Sequence, residues 1–259
     1  MQRLLDKVAL VTGASRGIGR GSALCLAEEG ADVLVNYRTH PDEAQAVVAE
    51  INKLGRRALA WQADVSDRSQ VERMVKAAVE HFGRLDIAVA NAALSIRQPI
   101  LDAVWEDVQR TTNVTLFGVF NTCQQAGRQM AAQGQGGKIV IISSIVSEFA
   151  FGAPAYSVAK AAVNHFGEIL ANELSPHRIN VNVIRPGWID TPGERVFYSE
   201  DDLQRAGQRI PWGRLGTPRD IGRCVVYLAS SDADYITGAS IRVDGGYMVG
   251  LTLPSGEST

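Results

Sequence analysis

Val8-Ala9-Leu10-Val11-Thr12-Gly13-Ala14-Ser15-Arg16-Gly17-Ile18-Gly19 is the stretch that decides the fold. Four apolar residues in a row read as a strand buried on both faces, and Thr12-Gly13 ends it. Ala23, Leu24, Leu26 and Ala27 then fall at helical spacing, with Gly30 as the stop. Glycines in such a turn let the backbone come close to a diphosphate. The helix that follows presents free N–H groups and a positive dipole end to the same place. The glycines stand at 13, 17 and 19 rather than in GxGxxG spacing, so the turn by itself leaves a packing role open.

Outward from this turn the alternation repeats. Asp32–Tyr37 is a second strand, followed by Ala44, Val47, Val48, Ile51 and Leu54 at helical spacing and a stop at Gly55. Ala58–Gln62 is a third strand. Ser66 is placed to cap a helix carrying Val71, Met74, Val75, Ala78 and Phe82, which Gly83 ends. Further strands are expected at 85–90, 138–142, 179–184 and Ser240–Val243. Helices are expected at 102–130, 156–174 and, after Pro218, 219–229. Seven apolar strands separated by helices predict an α/β fold: a single doubly wound parallel sheet with helices on both faces. Ligands bind such sheets beyond the carboxyl ends of the strands. No linker or repeat divides the chain, so residues 1–259 read as one domain. The polar, aperiodic segment around 192–211 suggests a substrate lid at about 188–212, and the polar end 252–259 suggests a mobile tail.

Composition excludes several classes. Of 259 residues 46% are hydrophobic and 21% charged, which is ordinary for a packed globular chain and excludes a mainly disordered one. A net charge of -2 offers no basic excess for nucleic acid or an anionic membrane. No apolar run is long enough for a membrane span, and the first residues lack a signal-peptide core. Cys25, Cys123 and Cys224 are far apart, so neither a disulfide framework nor a zinc knuckle is expected; the thiols of Cys25 and Cys224 read as buried helix residues. His40, His81, His165 and His177 have no metal-ligand spacing and read as surface or packing residues; no metal is expected. A cytoplasmic setting follows by default.

Two further features concern chemistry. The second strand ends in Asn36-Tyr37-Arg38. A carboxylate at that point would hold an adenosine ribose 2′-hydroxyl. Here Tyr37 stands in its place, and Arg38 with Arg16 suits a 2′-phosphate, which favours NADP(H) and leaves NAD(H) possible. Tyr156 and Lys160 lie four residues apart on a predicted helix and so share a face. An ammonium beside a phenol lowers the phenol pKa from about 10 and equips it for proton exchange with a substrate oxygen.

Together these pieces resemble the short-chain dehydrogenase/reductase family over about residues 7–246. The resemblance rests on Thr12-Gly13-x-x-x-Gly17-x-Gly19, Asp64-Val65, Asn91-Ala92-Ala93, Asn113-Val114, Ser143-Ser144, Tyr156-x-x-x-Lys160, Asn180-Val181-Asn182, Pro186-Gly187 and Asp244-Gly245-Gly246. The strand end at Asn36-Tyr37-Arg38 is similar to the branch with glucose 1-dehydrogenases and 3-oxoacyl-acyl-carrier-protein reductases. The resemblance implies reversible hydride transfer between NADP(H) or NAD(H) and a carbonyl/alcohol pair such as a sugar or 3-oxoacyl compound.

It also implies residue roles. Gly13, Ser15, Arg16, Gly17, Ile18 and Gly19 would surround the cofactor phosphates and adenosine ribose. Asp64 and Val65 would contact the adenine, and Asn91, Ala92 and Ala93 would line the cofactor channel. Pro186, Gly187, Ile189 and Thr191 would hold the nicotinamide end. Tyr156 would be the general acid/base and also contact the cofactor, Lys160 would bond the nicotinamide ribose and tune Tyr156, and Asn113 would hold a water linking Lys160 to solvent. Two departures stand out. Ala93 replaces the family's usual glycine. The catalytic serine counts to Ser143 from Tyr156 but to Ser144 along the strand, and Ser144 is the expected one because loops tolerate deletions better than strands tolerate slips. The family forms homotetramers through two long helices, here about 102–130 and 156–174. A cofactor-retaining epimerase or dehydratase, or a non-catalytic nucleotide sensor, is the alternative on the same fold.

Overall fold

A computed structural model describes residues 2–250. The expected tail, 252–259, lies outside the described residues. Seven strands form one parallel sheet: β1 Val8–Val11, β2 Asp32–Tyr37, β3 Ala58–Gln62, β4 Ile87–Ala90, β5 Gly137–Ile142, β6 Ile179–Pro186 and β7 Ser240–Val243. Their order is β3-β2-β1-β4-β5-β6-β7. Val8 pairs with Asp32 on one side of β1, and Ala9 pairs with Ile87 on the other. The order therefore reverses between β1 and β4, and the crevice at the carboxyl ends opens there.

Nine α-helices are described. They are α1 Gly17–Glu28, α2 Pro41–Lys53, α3 Arg68–Phe82, α4 Trp105–Thr112, α5 Gly118–Gln133, α6 Pro154–Leu174, α7 Glu200–Gln208, α8 Pro218–Ala229 and α9 Tyr247–Gly250. The period of two along β1 sorts the core. Ala9 and Val11 pack with Leu26 of α1, Val47 of α2 and Val225 of α8. Val8 and Leu10 pack on the other face with Met74 of α3, Cys123 of α5 and Val163 of α6. Helices α1 and α8 cross closely because both lack a side chain at the crossing: a Cβ on Gly21 would lie 2.6 Å from Pro218, and one on Gly222 2.7 Å from the Gly21 carbonyl oxygen.

The structure shifts several sequence-predicted boundaries. β4 begins two residues later than expected and β6 runs two residues further. Asp67, not Ser66, caps α3: its carboxylate accepts the N–H groups of Ser69 and Gln70, while the Ser66 hydroxyl donates to Asp64. The helix expected at 102–130 is interrupted by a π-helical turn at Asn113–Phe117, between α4 and α5. The segment 188–212 is not irregular throughout; it holds α7, opened by a capping box between Ser199 and Asp202. All four histidines are exposed, Cys25 is buried and Cys224 is half-buried.

Candidate active site

The β1–α1 turn is shaped by its glycines. Gly13 and Gly17 have φ of +62° and +55°, and a Cβ on Gly19 would sit 2.2 Å from the Gly13 carbonyl oxygen. Arg16 caps α1 without any side-chain hydrogen bond, so the first-turn N–H groups keep their capacity for an anion. Thr12 locks this turn to the end of β4. Its hydroxyl accepts the N–H groups of Asn91 (2.9 Å) and Ala92 (3.0 Å), and Asn91 Nδ2 donates back to the Thr12 carbonyl at 2.8 Å. Asn36 adds a second tie, its Oδ1 accepting the Gly13 N–H at 3.1 Å. Sequence reasoning missed both ties, because a threonine after a strand and an asparagine within one carry no distinctive pattern.

Ser15 is buried in the turn. Arg16 is paired with Glu43 through both carboxylate oxygens, and Arg38 reaches Asp64 at 3.4 Å. Tyr37 ends β2 beside them. Val65 is buried under α5, where a Cβ on Gly118 would approach it to 2.5 Å. These residues, with a turn whose close contacts only glycine permits, fit the adenosine and diphosphate of a nicotinamide dinucleotide.

At the carboxyl ends of β4, β5 and β6 lies a cavity of about 390 Å³. Ile18, Asn91 and Ala93 line one side of it, and Pro186, Gly187, Ile189 and Thr191 another, with Ser143, Ser144, Tyr156 and Lys160 between them. The two serines differ in partner. The buried Ser143 hydroxyl donates to the Lys160 carbonyl at 3.0 Å, whereas the Ser144 hydroxyl accepts the Val146 N–H at 3.3 Å and lies near enough to the Tyr156 phenol to act on it.

Lys160 is fully buried and its Nζ donates to the Ile142 carbonyl at 2.6 Å, 5.4 Å from the centre of the Tyr156 ring. Burial pushes the Lys160 ammonium down to about 7. Burial likewise pushes the Tyr156 phenol up to about 12; the Glu194 charge adds to the rise, while the Ser144 hydrogen bond and Arg97 oppose it. The lowering of Tyr156 by Lys160 expected from their spacing does not occur: Lys160 is not among the groups that act on the phenol, and desolvation, which is invisible in a sequence, raises it.

Asn113 is not brought to this cavity. It is exposed on the π turn, and its carbonyl accepts the Gly118 N–H. Thr115, two residues on, is buried instead, and its hydroxyl both donates to the Leu94 carbonyl (2.9 Å) and accepts the Leu94 N–H (3.0 Å). Two helical residues turn about 200°, so the two positions face opposite ways. A substrate side also emerges. Trp188 and Tyr198 line the cavity with rings 5.1 Å apart, as do Arg97 and Glu194, which sequence reasoning missed. Of the other aromatic residues in 188–212, Phe197 lies under the Arg97 guanidinium, and Trp212 is 72% exposed and lines no part of the cavity.

A doubly wound sheet with a glycine-shaped phosphate turn and a Ser–Tyr–Lys group at its carboxyl edge defines a dinucleotide-dependent oxidoreductase. The chain matches the family model described as enoyl-(acyl carrier protein) reductase over residues 13–248. It is 41% identical over 254 residues to an L-rhamnose 1-dehydrogenase (NAD(P)+) of a Sphingomonas species, covering 97% of this chain and 100% of that protein. It is 42% identical over 248 residues to a 3-oxoacyl-acyl-carrier-protein reductase of Staphylococcus aureus, covering 93% and 98%. A solved short-chain type dehydrogenase/reductase from Mycobacterium marinum superposes with a TM-score of 0.88 at 40% identity, covering 97% of both chains. The chain belongs to the short-chain dehydrogenase/reductase family and is an NAD(P)-dependent oxidoreductase. Among the described residues no helix is long and apolar enough to cross a membrane.

Proposed function

We propose that this chain moves a hydride reversibly between NADP(H) and the carbon of a small carbonyl/secondary-alcohol substrate, with Tyr156 as the proton donor and acceptor. The observation that carries this is the Tyr156 phenol, beside Ser144 and Lys160, in the same cavity as Pro186, Gly187, Ile189 and Thr191. The cofactor, when bound, supplies or accepts the hydride. Gly13, Ser15, Gly17 and Gly19 hold its diphosphate with the N-terminus of α1. Asp64 and Val65 border the adenine, and Asn91, Ala92 and Ala93 the channel to the nicotinamide. Arg16 and Arg38 take the 2′-phosphate by exchanging Glu43 and Asp64 for it, and NAD(H) is the weaker alternative.

Held protonated by burial, the Tyr156 phenol is the acid form at neutral pH, ready to give its proton to a carbonyl oxygen that Ser144 orients. In the oxidative direction Tyr156 must first lose that proton, and a protonated Lys160 beside it favours the phenolate. Lys160 near 7 can hold or release its own proton close to neutrality. Thr115, by clamping Leu94, fixes the loop after β4 that forms one wall. The segment 188–212 is the lid over the substrate within a single domain. The exposed Phe117 and Phe120 on one helix and Val158 and Ile169 on another are the faces that join copies into a homotetramer in the cytoplasm. Reduction of a carbonyl substrate with C4-deuterated NADPH tests the central step: the label is expected on the product carbon, and label released to water contradicts it.

A further inference from the structure

A charged pair lines the cavity. Arg97, in the loop after β4, donates through Nη2 to Glu194 Oε1 at 2.8 Å and through Nη1 to the Tyr198 hydroxyl at 3.2 Å. Its guanidinium lies 4.1 Å from the centre of the Phe197 ring. Glu194 Oε2 accepts the indole N–H of Trp188 at 3.1 Å. Arg97, Glu194, Trp188 and Tyr198 all line the cavity that holds Tyr156. The pair lies near enough to Tyr156 that its two charges act on the phenol in opposite senses.

From this geometry we infer, resting on the oxidoreductase reading above, that Arg97 and Glu194 determine specificity for a neutral polyhydroxylated substrate of monosaccharide size. Size points the same way: the cavity of about 390 Å³ also contains the residues of the nicotinamide end, which leaves little room for a long chain. Charge decides against an anion. Among the described residues lining the cavity the only charged groups are Arg97, Glu194 and Lys160; Arg97 is already compensated by Glu194, and a substrate carboxylate would meet the Glu194 charge.

Hydrogen-bond capacity decides against an apolar substrate. Each Glu194 oxygen accepts one bond here and has room for another, and Arg97 has unused N–H groups. A purely apolar substrate would strip water from both charges and return no hydrogen bonds, at a cost in binding. A polyol instead supplies hydroxyls to the pair and C–H faces to the Trp188 and Tyr198 rings.

The test compares neutral aldoses, their aldonates, cyclohexanol and an acetoacetyl thioester, each with both nicotinamide cofactors, in the wild type and in Glu194→Gln. Glutamine keeps an acceptor oxygen for one of Trp188 and Arg97, turns an N–H donor toward the other, and carries no charge. The wild type is expected to give kcat/KM at least tenfold higher for its best aldose than for either cyclohexanol or the matching aldonate. Glu194→Gln is expected to lower kcat/KM for that aldose at least tenfold more than for cyclohexanol, through KM, and to narrow the preference over the aldonate at least fivefold. Equal losses for aldose and cyclohexanol would mean a lid contact only and overturn the proposal. Turnover of the thioester or the aldonates in preference to every aldose would also overturn it while leaving the hydride-transfer reading intact. No turnover of any compound by the wild type would take down both.

Discussion

The two ends of the cavity are built from different material. The cofactor end is backbone: glycines at φ above +50°, free helix N–H groups, and carbonyls tied by Thr12 and Asn91. The substrate end is side chain: Arg97, Glu194, Trp188 and Tyr198, drawn from loops nearly a hundred residues apart. A backbone site tolerates no added atom, whereas a side-chain site can be retuned one residue at a time. This difference accounts for one fold serving relatives named for such unlike substrates as L-rhamnose and a 3-oxoacyl thioester carrier.

The sharpest way to break the comparison is Gly19→Ala. Its methyl would lie 2.2 Å from the Gly13 oxygen and 2.6 Å from Asn91 Nδ2, and neither can withdraw without opening the turn. We expect NADPH affinity to fall by over a hundredfold, roughly 3 kcal/mol, measured by calorimetric titration. Near-normal affinity would show that the turn is not the phosphate cradle.

Next in size is a pH effect where the two ends meet. Folded Lys160 loses its proton near 7, while an unfolded lysine keeps it to 10.5. Between these values the unfolded chain binds more protons, so stability rises with pH across this window, and the destabilisation is complete below 7. The contribution is at most about 1.4 kcal/mol per pH unit. Lys160→Met should flatten the rise of the cofactor-free protein's denaturation midpoint between pH 7 and 10; an unchanged slope would assign the effect elsewhere.

The smallest expected effect is at the rim of the cofactor end. Arg38 is half exposed and only 3.4 Å from Asp64, so Arg38→Ala should raise the NADPH KM roughly tenfold and leave the NADH KM alone. Equal KM changes for the two cofactors would leave Arg38 as a surface charge.

The same contrast explains what could be read from the sequence. All seven strands and the glycine turn were legible, because continuous apolar runs and positions that only glycine can fill are local signals. The choice of Ser144 over Ser143 rests on strand register, and both serines line the cavity. Asn113 was carried over from the family motif Asn113-Val114, which does not reveal the π turn, and a shift of two residues exchanges an exposed face for the buried one that Thr115 occupies. Ser66 was misplaced by one residue because Asp67, equally suited to cap, stands next to it. The Arg97–Glu194 pair left no sequence signal at all, since no period or spacing links a loop at 97 to a turn at 194. The direction of the Tyr156 shift depends on burial, a property of the packed fold.

In the proposed mechanism Tyr156 performs the proton transfer, a role separable from its contact with the cofactor. Tyr156→Phe, titrated with NADPH and assayed for turnover on the same preparation, tests this directly. NADPH affinity within a few-fold of wild type with turnover down roughly a hundred- to ten-thousand-fold is the predicted result; turnover near the wild-type value would contradict the claim.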